Sequence, residues 1–132
     1  MCSSDLNWEI TKRHIDGDRH VFDCFERIRD TGVALRDALQ RGNWDDVGRH
    51  IATEWENRKR LAPGVTTATI DDLIVRARAA GATAAKVCGA GGGGCLFCYG
   101  PPEARTTIAE ALVSGGARLL DYRVEHEGLR VG

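Results

Sequence analysis

Six consecutive small residues, Gly89-Ala90-Gly91-Gly92-Gly93-Gly94, constrain this chain more than any other feature of its sequence. Each ordered glycine costs about 0.5–1 kcal/mol relative to alanine in a regular element. The run therefore favours a loop whose backbone adopts positive φ or lies directly against a ligand. Successive unshielded amides also form a concave surface that suits phosphate or another oxyanion. The run predicts a loop that faces an anion.

The residues on either side of this loop decide which kind of site it can form. Residues 83–88 and 95–99 are short, apolar and β-compatible, so the loop joins two predicted strands. Gly89, Gly91 and Gly94 fit the pattern G-x-G-x-x-G, but a dinucleotide fingerprint requires a helix directly after its third glycine. No Gly-Lys-Ser/Thr follows the run either, which excludes a Walker loop. A hairpin loop without a ligand stays open as an alternative, although ordinary hairpins need only two to five loop residues.

Helical periodicity dominates the first half of the chain. A helix is predicted after Gly17-Asp18, a second after an N-cap at Asn43, and a third after a cap formed by Thr69 and Asp72. Pro63-Gly64 is predicted to end the second of these helices and Gly81 the third. A further short helix is predicted over residues 4–16. The apolar positions that define the three helices are Val21, Phe22, Phe25, Ile28, Leu35, Ala38 and Leu39; Trp44, Val47, Ile51, Trp55 and Leu61; and Ile70, Leu73, Ile74 and Ala77.

The second half of the chain changes period. Pro101-Pro102-Glu103 begins another helix, which Gly115-Gly116 ends. Alternating apolar and charged residues predict a half-buried strand over residues 117–125, with a hairpin partner at Leu129-Arg130-Val131. Together with the two strands around the glycine loop, this order predicts an α+β fold. We expect one domain over residues 1–132, with a four-stranded antiparallel sheet packed against helices.

Composition narrows the range of partners and cellular settings. The chain has 18 basic and 19 acidic side chains, so no electrostatic nucleic-acid or membrane partner is expected. Five cysteines without a secretory context favour reduced thiols and a cytoplasmic protein. Cys95 and Cys98 form a C-x-x-C, but on a strand they point to opposite faces. We therefore expect buried small thiols there and no metal site.

The glycine loop and its flanks, Ala85-Lys86-Val87-Cys88 and Cys95, closely resemble the third motif of the GHMP kinases, a superfamily that includes galactokinase, homoserine kinase, mevalonate kinase and phosphomevalonate kinase. From about residue 18 to the end, the chain looks most like the D-glycero-D-manno-heptose 7-phosphate kinase branch. The segments that carry this likeness are Trp55 with Lys59-Arg60-Leu61, Pro63-Gly64-Val65, Ile70-Asp71, Ala80-Gly81-Ala82, Tyr122-Arg123-Val124-Glu125 and Glu127-Gly128-Leu129-Arg130-Val131.

The resemblance implies the ferredoxin-like C-terminal lobe of an ATP-dependent sugar or sugar-phosphate kinase. In that superfamily the N-terminal lobe carries the phosphate-binding loop and the catalytic acid and binds most of ATP and Mg²⁺. We therefore expect no catalytic residue, no tightly bound cofactor and no kinase activity in this chain by itself. Residues 89–94 would line the phosphate-transfer site, and Lys59, Arg60 and Lys86 are candidate substrate contacts, although helix-end and surface cations are often simply solvated. Expected partners are the substrate, an N-terminal kinase lobe or a second copy. A stand-alone metabolite-binding module and one subunit of a split kinase stay open as alternatives.

Overall fold

The computed structural model of the chain describes residues 3–129. Five α-helices and two strands follow one another in the order α1, α2, α3, α4, β1, β2 and α5, with a short 3-10 turn before α5. Their bounds are α1 Ser3–Ile15, α2 Arg19–Gln40, α3 Trp44–Lys59, α4 Ala68–Ala79, β1 Ala84–Val87, β2 Leu96–Tyr99, the 3-10 turn Pro102–Ala104 and α5 Arg105–Ser114. The helix predicted over residues 4–16 is confirmed as α1.

Local side-chain caps fix where the helices begin. The Asp18 carboxylate accepts from the Val21 amide at the start of α2, and Asn43 accepts from the Asp46 amide at the start of α3. The N-cap of α4 is Thr67, two residues before the predicted cap at Thr69, because the Thr67 hydroxyl accepts from the Ile70 amide at 3.3 Å. Because of this early start, the first turn of α4 lies next to the glycine loop.

The two strands form an antiparallel ribbon between two layers of helices. Ala85 pairs with Cys98, and Val87 pairs with Leu96. Since neighbouring strand residues point to opposite faces, Ala84 packs into a cluster with α2 and α3, whereas Ala85 packs with α4 and α5. Strand β1 is therefore covered on both faces, whereas β2 is half-buried and its Phe97 is exposed.

A larger apolar cluster lies beneath the loop end of the ribbon. Trp55 of α3 is only 2% exposed and packs there with Val65 and Val87. The other members come from α1, α2, the 61–65 segment and α4, and they are Leu6, Ile10, Val21, Cys24, Leu61, Ala62 and Ile70. Because this cluster includes both Val65 and Val87, it holds the turn before α4 next to the strand that enters the glycine loop.

The prediction of a four-stranded sheet is wrong, because the described residues contain only the β1–β2 pair. The α+β assignment holds, but the fold is richer in helix than we expected. Residues 117–129 form no strand, and Leu120, Tyr122 and Val124 are 54%, 77% and 68% exposed. Alternation favours a strand only where one face is covered and a neighbouring strand supplies hydrogen bonds. Ala117 packs against the cluster of α4 and α5, but the apolar residues that follow it are exposed. Of its predicted hairpin partner, Arg130 and Val131 lie outside the described residues.

Candidate phosphate-binding cleft

The backbone of the glycine loop adopts the left-handed conformations that its composition predicts. Every glycine of the run has a φ between 76° and 153°. Gly91 is the most constrained, since a Cβ built there would lie 2.3 Å from the carbonyl oxygen of Val65. The next amide, that of Gly92, donates to the same Val65 carbonyl at 2.9 Å. Part of the run therefore serves a close backbone contact within the protein and fastens the loop to the turn before α4.

A cleft of about 340 Å³ opens between the fastened loop and the first turn of α4. Gly92, Gly93 and Gly94 line one side of it, and Thr67 and Thr69 line the other. Its remaining wall is mostly apolar and comes from Ile70, Leu73, Val87, Cys95 and Leu96. The cleft therefore joins the loop predicted from sequence to a helix start that sequence reasoning did not connect with it.

Several backbone amides at this cleft are available to a ligand. Within residues 3–129, the Gly93 and Gly94 amides donate to no protein acceptor, in contrast to that of Gly92. At the start of α4 the Ile70 and Asp71 amides bind Thr67, which leaves the Thr69 amide without a protein acceptor in the same part of the chain. Free amides and the positive end of a helix dipole favour an anion.

Carboxylates near the start of α4 already have partners. Asp71 accepts from the Thr66 hydroxyl at 2.7 Å, and Asp72 pairs with Arg76 at 2.6 Å. Neither aspartate lines the cleft. The arrangement is therefore chemically suited to hold phosphoryl oxygens between the loop and the helix.

Lys86, a predicted substrate contact, is committed to an ion pair in this structure. Its ammonium group contacts the Glu54 carboxylate of α3, whose other oxygen accepts from Arg58 at 2.6 Å. Glu54 is only 9% exposed. Because β1 leads directly into the glycine loop, the pair couples the base of the loop to α3. Lys86 does not line the cleft, and its role as a substrate contact stays a prediction.

Lys59 and Arg60 lie at the end of α3, also away from the residues that line the cleft. Lys59 pairs with Glu56 at 2.8 Å, which is a partly exposed contact on the same helix. The Arg60 carbonyl accepts from Nε2 of His20 at 2.7 Å, and its side chain is exposed. The structure therefore brings neither cation to the loop, and both stay predictions.

The cysteines depart from the expectation of buried thiols. Cys88 and Cys95 are exposed at the two ends of the loop, whereas Cys98 is half-buried and Cys24 is buried. Burial raises the pKa of the Cys98 thiol. Among the described residues, no group of three His, Cys, Asp or Glu side chains could hold a metal ion. In the same range, no helix is both long and apolar enough to cross a membrane.

Most of the elements described above fall within a known protein family. Residues 35–118 match the family model described as GHMP kinases C terminal. The chain belongs to this family. The matched range includes α3, α5 and all the elements that line the cleft, which are α4, both strands and the glycine loop.

The individual relatives differ in their identity to this chain and in the length of the matched stretch. The chain is 40% identical to a mevalonate kinase of Thermococcus sibiricus over 70 residues, which is 53% of this chain and 21% of that enzyme. It is 22% identical to the D-glycero-alpha-D-manno-heptose 7-phosphate kinase of Campylobacter jejuni over 114 residues, which is 86% of this chain and 34% of that enzyme. These matches therefore span about a fifth to a third of the relatives' lengths.

A solved structure supports the fold. The crystal structure of Leishmania major mevalonate kinase in complex with R-mevalonate aligns with a TM-score of 0.75 at 17% identity. The alignment covers 86% of this chain and 35% of that one. Membership of the GHMP kinase family is thus shown, whereas the heptose kinase branch is not distinguished, because the mevalonate kinases are more similar over a shorter stretch.

Proposed function

We propose that this chain forms the C-terminal part of an ATP-dependent small-molecule kinase and that its cleft binds phosphoryl oxygens during transfer. The observation that carries the proposal is the opposition of the free Gly93 and Gly94 amides to the first turn of α4. Phosphoryl transfer depends mainly on positioning and charge stabilisation. Fixed amides in a partly apolar cleft supply both without reorganising.

The cleft of this chain would orient the phosphoryl group and stabilise its negative charge. The other groups that the reaction needs would lie in a second lobe. ATP and Mg²⁺ would be held mainly by a second lobe, since the relatives are several times longer than the segments they share with this chain. We therefore expect no turnover when the 132-residue chain is incubated with ATP, Mg²⁺ and either mevalonate or heptose 7-phosphate. Turnover by the purified chain would overturn this part of the proposal.

Anion binding at the cleft can be tested directly by NMR. Titration with inorganic pyrophosphate is expected to shift the Gly93, Gly94 and Thr69 amide resonances in a saturable manner. Gly94→Ala should weaken this binding about tenfold or more, because a side chain at φ 85° forces the local backbone to move. Gly89→Ala is the matched control, since Gly89 has φ 82° and equally open surroundings but does not line the cleft. Shifts elsewhere only, or equal loss in both variants, would contradict the site.

Two acceptor classes follow from the relatives. Mevalonate is favoured by the 40% identity over 70 residues, and a heptose phosphate by the match that covers 86% of the chain. Each is to be tested with the chain joined to, or mixed with, a kinase lobe encoded next to it. Activity after mixing would indicate a split kinase, and activity only as one polypeptide would indicate a domain. Pyrophosphate binding without activity in either form would favour the stand-alone module.

A further inference from the structure

We propose that Cys88 and Cys95 form a redox-active dithiol that closes the neck of the glycine loop when it is oxidised to a disulfide. The inference is independent of kinase function, because it depends only on the positions of two thiols. Cys95 also lines the proposed phosphate cleft, but the bond between the two thiols needs no phosphate there.

The register of the ribbon places these two cysteines directly opposite each other. Val87 pairs with Leu96, and the next pair outward is Cys88 with Cys95, whose amide and carbonyl are 2.8 Å apart. Residues opposite each other at a hydrogen-bonded position of an antiparallel pair have Cα atoms about 5.5 Å apart. That distance falls within the roughly 4.4–6.8 Å that disulfides span. Their side chains also lie on the same face of the ribbon.

Two further properties make the pair reactive as a unit. Both thiols are exposed, so a small oxidant can reach them. Facing Cβ atoms at a hydrogen-bonded position lie near the longer end of the range of about 4.5–5.5 Å. A disulfide needs about 3.5–4.5 Å, so the strand ends must approach each other by about 1 Å. Gly89 and Gly94 allow this, because each is bonded to its cysteine on the loop side and nothing lies within 4 Å of a Cβ built on either.

Cys98 provides a contrast within the same ribbon. It pairs with Ala85 and packs among α4 and α5 residues, so it lies on the opposite face from Cys95. It is also only partly accessible. The C-x-x-C spacing therefore misleads, and the reactive partner of Cys95 lies across the loop.

The oxidant that we propose is a low-molecular-weight disulfide such as oxidised glutathione. One thiolate of the pair attacks it, forming a mixed disulfide and releasing one glutathione thiolate. The second protein thiolate then attacks the mixed disulfide, forms the Cys88–Cys95 bond and releases the second glutathione. Two protein thiols are oxidised and one glutathione disulfide is reduced, so the electrons balance, and an added dithiol reverses the reaction.

Incubation of the full chain with oxidised glutathione, followed by intact-mass and peptide analysis, tests the proposal. Since the thiol of Cys2 can also react, glutathione is scored on the peptides that contain residues 88 and 95. There the wild type and Cys98→Ser should each lose two hydrogens and retain no glutathione. Cys88→Ser and Cys95→Ser should each instead retain a single reducible glutathione adduct on the remaining neck cysteine. Circular dichroism of all four proteins checks that the variants are folded.

Three outcomes would overturn the proposal. One is an internal disulfide in Cys88→Ser, which would assign the bond to Cys95 and Cys98. Another is stable glutathione adducts at both neck cysteines of the wild type. The third is no reaction at either cysteine in a folded protein. Hydrogen exchange supplies a second readout. The disulfide should slow exchange of the Cys88 amide at least about fivefold, because it keeps the hydrogen bond from that amide to the Cys95 carbonyl closed.

Discussion

The Lys86 ammonium of β1 and the Glu54 carboxylate of α3 form an ion pair between residues 32 positions apart. Both side chains are largely buried, with 17% and 11% of their surfaces exposed. Arg58 shares the same carboxylate, so one acid balances two cations. Breaking such a pair leaves a charge without compensation, which costs more than a surface pair contributes. The cluster therefore ties the strand that enters the glycine loop to α3.

Replacement of Glu54 tests this relationship. We expect Glu54→Gln to lower the free energy of unfolding by about 2–3 kcal/mol, because it leaves Lys86 and Arg58 partly buried without their counter-charge. Urea unfolding measures the change. Glu56→Gln is the matched control on the same helix: its pair with Lys59 is 54% exposed on the acid's side, so a change of only about 0–1 kcal/mol is expected. Equal effects in the two variants would contradict the role given to Glu54.

The close approach of the loop to the turn before α4 is tested at Gly91. Gly91→Ala should destabilise the protein by about 2–4 kcal/mol, since the new methyl group meets the Val65 carbonyl and the residue has φ 96°. Gly89→Ala carries the same left-handed strain but meets no atom, so it should cost about 1 kcal/mol. Thermal unfolding compares the two. A Gly91→Ala protein as stable as Gly89→Ala would show that the loop is not held against Val65.

We expect the ionised carboxylate of Asp18 to make the stability of the fold depend on pH. Its pKa is held below the usual 3.8, first by the hydrogen bond from the Val21 amide and then by Arg13. A carboxylate with a lowered pKa in the folded state stabilises the protein above its unfolded pKa, and that contribution disappears as the pH falls through the folded value. The stability difference between wild type and Asp18→Asn should therefore be constant above about pH 5 and shrink below pH 4. Urea unfolding across this range checks it, and a difference that does not vary with pH would contradict the assignment.

The exposed segment after α5 is tested by hydrogen exchange. The amides of Leu120, Tyr122 and Val124 should exchange within seconds, because no hydrogen bond to another backbone group protects them in the described chain. The Trp55 amide, in the middle of a packed helix, is the internal reference and should exchange many orders of magnitude more slowly. Strong protection of alternate residues in 119–125 would mean that this segment pairs as a strand in solution, as its alternation predicts.

The helices and the glycine loop could be predicted from sequence because their signals are local. Asn43 with Asp46 and the glycines after α4 and α5 each specify an end within four residues of chain. The start of α4 was misplaced because Thr67 and Thr69 both offer a capping hydroxyl. Only the observed extended backbone at Thr67, with φ −134° and ψ 162°, identifies the residue that caps the helix.

The parts that sequence reasoning missed depend on contacts between distant segments. No periodicity relates Glu54 to Lys86, or Val65 to Gly91, since each pair meets only after the ribbon packs between its helical layers. The prediction of a strand over residues 117–125 was wrong for a related reason. Alternation indicates the direction in which each side chain points, but not whether another element packs against that face. The Cys88–Cys95 pair did have a signal, because the two residues flank the six-residue loop symmetrically.

The hydrogen bond from Gly92 to Val65 has a consequence for re-engineering this chain. This bond joins the turn before α4 to the glycine loop, so the lengths of the two segments must match. Adding a residue to either segment would move the free amides relative to the start of α4. The glycine loop, although exposed and flexible in composition, should therefore be intolerant of inserted tags or linkers. The segment over residues 119–124, whose residues are all exposed, is the better position for such an insertion.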